Sequence, residues 1–209
     1  MPGMTIRIGF VRHGHVHNPH AVHYGRLPGF GLSEQGHTQA QAAAQALRNA
    51  PIATIYSSPL QRAQETTAAI QAVHPHLTPV LSPLLSEVYT PFDGQPRSVL
   101  AARQWDAYTG TPPEYEQPGD VLDRAQRFIA QVRQACHGQH VIAITHGDVI
   151  SFLMLWARGL PVDPQYKETL SGLGIPGNYP APASITTLIY HTTAPDEVPE
   201  IEHLVPYAR

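Results

Sequence analysis

Two stretches, Ile8-Gly9-Phe10-Val11-Arg12-His13-Gly14 and Val141-Ile142-Ala143-Ile144-Thr145-His146-Gly147, decide how this chain folds. Each is a short run of mostly β-prone residues that stops at a polar residue, a histidine and a glycine. Such a run, closed by a turn signal, reads as a buried strand leaving its sheet. Outward from the first, residues 12–32 are rich in His, Gly and Pro and read as a loop. Ser33 can then cap a helix whose apolar positions Ala40, Ala43, Ala44 and Leu47 follow helical spacing, and Pro51 closes it. Ile52–Tyr56 reads as a second strand, and Ser58-Pro59 as the cap and first position of a helix with Leu60, Ala63, Thr67, Ile70 and Val73 inward. A short third strand is expected at Thr78–Leu81, and one short helix near Ser98–Tyr108 within the Pro-rich stretch 82–118. Asp120 can cap a helix with Leu122, Ala125, Phe128, Ile129, Val132 and Cys136 inward. Beyond the second stretch come an apolar helix at 149–157, a Gly/Pro-rich segment at 159–183 and a closing strand at Ile185–Tyr190. Strands alternating with helices predict an α/β fold, layered α/β/α around a mostly parallel central sheet. The expectation is a single domain over 1–209, with loop or cap insertions around 82–118 and 159–183.

Composition narrows the function. The chain has 209 residues, with 13 Lys and Arg against 16 Asp and Glu for a net charge of −3. Nucleic-acid binding needs a dominant basic surface, so no nucleic-acid partner is expected. Charged residues make up only 14% of the chain, so its chemistry must rest on a few well-placed groups. The single cysteine, Cys136, excludes an internal disulfide framework and a multi-cysteine zinc site. The N-terminal segment has no apolar core of signal-peptide length, and the most apolar stretch, Val149–Ala157, is far shorter than a membrane span. A cytoplasmic protein with no membrane partner is the expectation.

In an open α/β sheet, ligands bind beyond the carboxyl ends of the strands. His13 and His146 both follow a strand directly, so adjacent strands would bring their rings together at that edge. The glycines after them allow sharp turns and close approach of backbone N–H groups to a ligand. Arg62 falls in the first turn of the helix after the second strand, where the macrodipole mildly disfavours a cation. That helix start faces the same edge, so Arg62 and Arg12 can flank an anion there. Two histidines, two arginines and helix N-termini at one sheet edge describe a phosphate pocket.

The order of motifs resembles the histidine phosphatase superfamily, in its phosphoglycerate-mutase-like branch. Arg12-His13-Gly14 with Asn18 is similar to that family's opening motif, and Gly31-Leu32-Ser33-Glu34-Gln35-Gly36 with Gln39-Ala40 to its next segment. Ser57-Ser58-Pro59-Leu60-Gln61-Arg62-Ala63 with Glu65-Thr66, then Leu85-Ser86-Glu87, then Thr145-His146-Gly147 complete the order over residues 5 to about 150. The resemblance implies that His13 attacks phosphorus and becomes a phosphohistidine, while His146, Arg12 and Arg62 hold the phosphoryl oxygens. Asn18 and Gly147 join Arg12 and Arg62 as substrate-binding residues. Glu87 becomes the acid that protonates the leaving alkoxide, with Asp93 as the competing candidate. No cofactor and no metal are implied. The chain departs from the family's common pattern at His15 and Val16, and at Asp148, whose charge would repel phosphate unless it turned toward the helix cap.

The function this implies is a metal-independent phosphomonoesterase acting on a small phosphorylated metabolite of the sugar or nucleoside phosphate class. A phosphoglycerate-mutase-type phosphotransferase is the alternative, disfavoured because the segment between Glu87 and Asp120 is short and carries only Arg97 and Arg103. A metal-dependent hydrolase using His13, His15 and His17, with His20 or His23 nearby, is a further reading, against which Arg12 and Arg62 would repel the cation. A non-catalytic binder of phosphorylated ligands is the third. Tyr24, Arg26, Tyr89, Phe92 and Tyr108 are candidates to roof the pocket. The expected partner is a small-molecule phosphomonoester; a homodimer stays open.

Overall fold

The computed structural model describes residues 5–207. Six strands, β1 (Ile6–Arg12), β2 (Ile52–Ser57), β3 (Val80–Leu81), β4 (His140–Thr145), β5 (Ile185–Tyr190) and β6 (Glu200–Leu204), form one sheet in the order β3-β2-β4-β1-β5-β6. β3, β2, β4 and β1 run parallel, while β5 and β6 extend the sheet antiparallel from the β1 edge. In β4 every residue from Val141 to Thr145 is fully buried, as expected of a central parallel strand covered on both faces.

Helices α1 (Glu34–Leu47) and α2 (Gln61–Val73) cover one face around Val11, Ile55, Ile70, Ile142 and Ile144. Helices α4 (Pro118–Ala135) and α5 (Gly147–Ala157) cover the other around Ile8, Phe10, Phe128, Val141 and Phe152. The layered α/β/α architecture follows. The segment 82–118 contains a 3₁₀ turn at Pro83–Leu85 and the short helix α3 (Arg97–Ala102), and 159–183 contains two 3₁₀ turns.

Local chemistry explains where the expected boundaries hold and where they move. Ser33 caps α1, its hydroxyl accepting from the Gly36 N–H at 3.1 Å. Ser58 does not cap α2: the helix begins at Gln61 after Leu60, and the Ser58 hydroxyl lies 2.8 Å from His146 Nε2 while accepting from the Leu60 N–H at 3.4 Å. Asp120 is not the cap of α4 but its third residue, reaching back to the Gln117 N–H in a capping box. That shift puts Val121 and Arg124 on the buried face and leaves Leu122 at its margin. The helix expected over Ser98–Tyr108 stops at Ala102, where Gln104 and Trp105 take positive φ. Strand β6 was not expected from the sequence. Its inward positions Ile201 and His203 are only half-buried, so the alternation that signals a strand is weak.

Candidate active site

Topology brings the two histidines together. β1 and β4 are neighbours in the sheet, with Arg12 opposite Thr145, and the His13 N–H continues the ladder to the Thr145 carbonyl at 3.0 Å. His13 and His146 therefore leave the sheet side by side, their ring centroids 5.1 Å apart. β2 lies on the other side of β4, and α2 after it carries Arg62 into the gap between the rings. The N-termini of α2 and α5 both open at this edge, which favours negative charge there.

The loop carrying His13 is fixed by close backbone packing. A Cβ on Gly14 would lie 2.5 Å from the Gly36 carbonyl oxygen, so the first turn of α1 and the His13 loop can touch only without side chains. Gln39 accepts from the His15 N–H at 2.9 Å, Thr66 from the Gly14 N–H at 3.1 Å, and Glu65 from the Leu32 N–H at 2.6 Å. The segments quoted above as motifs thus act as scaffolding around one loop.

His13 Nδ1 lies 2.8 Å from its neighbour's carbonyl, at Gly14. A carbonyl only accepts, so Nδ1 carries the hydrogen and Nε2 presents a lone pair. Arg62 Nε donates to that Nε2 at 3.1 Å, and Arg62 Nη2 lies 3.2 Å from His146 Nδ1, 3.5 Å from Glu87 Oε2 and 2.8 Å from the Gly25 carbonyl. One guanidinium thereby touches all three prospective reacting groups. His146 Nε2 is 2.8 Å from Ser58 Oγ. Because Arg62 can only donate to Nδ1, the resting ring carries its hydrogen on Nε2 and donates it to that hydroxyl, which can also donate when the tautomer changes.

Electrostatics follow from burial. Desolvation, then Arg62 and Arg12, push His13 well below the ordinary histidine range, and desolvation with Arg62 does the same to His146. Both rings are neutral at physiological pH. Desolvation raises the Glu87 carboxyl above its ordinary value although Arg62 opposes this, moving it toward the range of a working acid. Glu87 is held through its own backbone: Arg26 Nε and Arg124 Nη2 donate to its carbonyl at 2.7 and 3.4 Å, and Glu116 ties both arginines together.

Arg12 leaves β1 half-buried, donating to the Pro180 carbonyl at 2.6 Å beneath the Tyr179 ring. It lines a cavity of about 240 Å³ together with Tyr24, Glu87, Arg97, Trp105, Asp148, Lys167 and Tyr179. His13, Arg62 and His146 do not line that cavity; Arg62 and His146 meet its wall at Glu87, and the three are 2%, 1% and 0% exposed.

Several candidates sit elsewhere. The Asn18 amide closes its own loop, bonding both the N–H and the carbonyl of Val22. Gly147 opens α5 with the Tyr179 hydroxyl against it, where a Cβ would come within 2.2 Å. Asp93, the rival to Glu87, accepts from the Arg26 N–H at 2.9 Å and does not join the histidines. Among the pocket-roof candidates Tyr24 stacks on Phe30 over Arg62, while Tyr89 packs outside against Tyr115. Arg103 lies over Phe92. Tyr108 is buried and donates to Asp148 at 2.5 Å. His15 is exposed and meets the Ser33 hydroxyl, and His17 is exposed too, so His13, His15 and His17 do not converge. Among the described residues the group able to hold a metal is His13, Glu87 and His146, and the Arg62 guanidinium stands within that group.

Asp148 does not turn to the helix cap. It is buried, and accepts from Lys167 at 2.9 Å, Tyr179 at 2.6 Å and Tyr108. Burial works to raise its pKa, but Lys167 and the two tyrosines outweigh that and hold it ionised. Ser58, Glu116, Arg124, Lys167 and Tyr179 were not expected at this site. Lys167 alone carried a sequence signal, since it is the only lysine in the chain.

The chain belongs to the histidine phosphatase superfamily, branch 1, whose family pattern matches residues 8–174. It is 34% identical over 204 residues to the uncharacterized protein Rv0525 of Mycobacterium tuberculosis, covering 91% of this chain and 92% of that protein. Its structure resembles the native structure of the mycobacterial glucosyl-3-phosphoglycerate phosphatase Rv2419c, with a TM-score of 0.75 and 25% identity over 95% of this chain and 97% of that one. A putative α-ribazole-5'-P phosphatase from Escherichia coli K-12 shares the fold, with a TM-score of 0.75 and 20% identity over 95% of each chain.

Proposed function

We propose that the protein is a metal-independent phosphomonoesterase that works through a phosphohistidine on His13. The observation that carries this reading is the buried Arg62 guanidinium, which contacts His13 Nε2, His146 Nδ1 and Glu87 Oε2 at 3.1–3.5 Å. A cation in that position suits an anion held between the rings and opposes a metal ion there.

The steps follow from the atoms present. A phosphoryl group enters by taking over the donors of Arg62 and Arg12, with His146 in the neutral tautomer that donates from Nδ1 while its Nε2 accepts a hydrogen bond from the Ser58 hydroxyl. The His13 Nε2 lone pair forms the N–P bond as the ester P–O bond breaks. The departing oxygen takes the bond pair and the proton of the Glu87 carboxyl. In the second half, the Glu87 carboxylate removes a proton from water, whose oxygen bonds phosphorus as the N–P bond breaks and its pair returns to Nε2. The positive groups stabilise the charge spread over the equatorial oxygens.

Glu87→Gln is expected to reduce hydrolysis of alkyl phosphates by about 100-fold or more while sparing p-nitrophenyl phosphate, whose leaving group needs no proton. Equal losses on both substrates, measured as kcat/KM, would remove the acid role. Phosphate release is likewise expected to survive EDTA unchanged; loss on chelation with recovery on adding a divalent ion would favour the metal reading.

The substrate class we assign is a small phosphorylated metabolite of the sugar or nucleoside phosphate kind. In support, the structurally similar mycobacterial protein is a glucosyl-3-phosphoglycerate phosphatase, whose name gives a small phosphorylated metabolite as its substrate. Phosphatase is favoured over mutase because Arg97 lies over Trp105 and Arg103 over Phe92, leaving few cations to retain a second phosphate. The buried, unpaired Cys136 fits a reducing compartment such as the cytoplasm, and no helix among the described residues is long and apolar enough to cross a membrane.

A further inference from the structure

We propose that Lys167, held by Asp148, is the specificity residue of the pocket, and that it selects a phosphomonoester whose alcohol is neutral and hydroxylated. The inference rests on the phosphatase reading and concerns the part of the substrate beyond its phosphoryl group.

Lys167 is the only lysine in the chain and is 4% exposed, whereas lysines are almost never buried without a reason. Its ammonium donates to Asp148 Oδ1 at 3.3 Å and Oδ2 at 2.9 Å and lies 5.4 Å from the Tyr108 ring centre. An ammonium has three N–H donors, and bonds to one carboxylate leave a further donor for a ligand. Lys167 lines the cavity with Arg12 and Glu87, the groups that face the scissile ester.

The surroundings of Lys167 define what that donor meets. Asp148 lies in the first turn of α5, directly after His146-Gly147, so the pair is anchored two residues from His146. Tyr108 and Tyr179 hold the same carboxylate at 2.5 and 2.6 Å, fixing Lys167 from both insertions. An unpaired Asp148 would repel the phosphoryl group; paired, it converts Lys167 into a donor with little net charge.

The remaining charges of the wall balance too. Beyond Arg12 and Glu87, the cavity presents Arg97 and Lys167 as cations and Asp148 and Glu168 as acids, besides His23. A leaving group bearing a carboxylate or a second phosphate meets no surplus cation there. A polyol meets donors and acceptors alternately, with the Trp105 and Tyr24 rings to cover its apolar face.

The test compares three substrates, a pentose phosphate, phosphoglycerate and p-nitrophenyl phosphate, in the wild type, Lys167→Met and the double variant Asp148→Asn/Lys167→Met. The double variant also removes the buried carboxylate charge, so it guards against misfolding of the single one. The wild type is expected to prefer the pentose phosphate over phosphoglycerate by at least about tenfold in kcat/KM. Both variants should raise KM for the pentose phosphate about tenfold, the size of one charge-assisted hydrogen bond, with p-nitrophenyl phosphate changing less than about threefold in the double variant, which leaves no unpaired carboxylate near the phosphoryl group. Preference for phosphoglycerate, equal losses on all three substrates in both variants, or an unchanged pentose phosphate KM would each overturn the proposal. A wild type inactive even on p-nitrophenyl phosphate would overturn the phosphatase reading and this inference with it, so the two failures are distinct.

Discussion

His13→Ala is expected to abolish turnover, with kcat falling by on the order of 10⁴–10⁶, because no other group presents a lone pair at the same point. The Nδ1 contact to Gly14 at 2.8 Å fixes the proton away from the pocket, and burial beside Arg62 and Arg12 keeps the ring neutral. A neutral imidazole is a nucleophile and an imidazolium is not, so the environment that lowers the pKa also supplies the reactivity. Folding should survive, because the histidine gives way to a smaller side chain at a site formed by loop and helix ends. Steady-state phosphate release from p-nitrophenyl phosphate, together with a thermal melt, measures both. Turnover within about tenfold of wild type would remove His13 from the role of nucleophile.

Arg62→Ala is expected to cost about 3–4 kcal/mol of transition-state stabilisation, several hundredfold in kcat/KM, the scale set by removing one donor from an oxyanion-binding site. The basis is geometric. Arg62 is 1% exposed and reaches His13, His146, Glu87 and the Gly25 carbonyl from a single guanidinium. Desolvation lowers the pKa of Arg62 from its usual value, yet an arginine stays charged under any physiological condition. Arg62→Lys should recover little, since an ammonium cannot span donors set in a planar fork. The comparison of Ala and Lys variants on p-nitrophenyl phosphate separates this from a loss of charge alone; full recovery by Lys would contradict the bridging role.

The sequence showed the phosphoryl-facing part of this site more clearly than its surroundings. Arg12 ends β1, and His13 and His146 follow strands directly; local grammar locates strand ends well when the strand is as apolar as β4. Arg62 was legible because it stands at a helix start that follows another strand. Glu87 came from the family resemblance, and its proximity to His146, 3.4 Å between Oε2 and Nδ1, depends on how loop 82–96 folds back. No local pattern encodes that return.

What stayed hidden depends on long-range pairing. Ser58 reads as a helix cap because Ser before Pro has that signature, but its hydroxyl meets His146 from 88 residues away. Asp148 was read as a liability near phosphate, since the compensating Lys167 lies 19 residues on, inside a Gly/Pro-rich segment without periodicity. Glu116 and Arg124 stand in no motif, yet Arg124, held by Glu116, donates to the backbone carbonyl of Glu87. In each case a polar group finds its partner through the tertiary fold, which single-chain patterning does not record. The weak edge strand β6 was missed for the related reason that only half its face is covered.

The central claim is that His13 Nε2 accepts the phosphoryl group. The direct measurement is to quench wild-type enzyme during turnover under alkaline conditions, which preserve phosphohistidine, and to locate phosphate by peptide mass spectrometry. A phosphorylated peptide whose modified residue is His13, absent from His13→Ala, is expected. Phosphate found on another residue, or turnover continuing in His13→Ala without any phosphoenzyme, would contradict it.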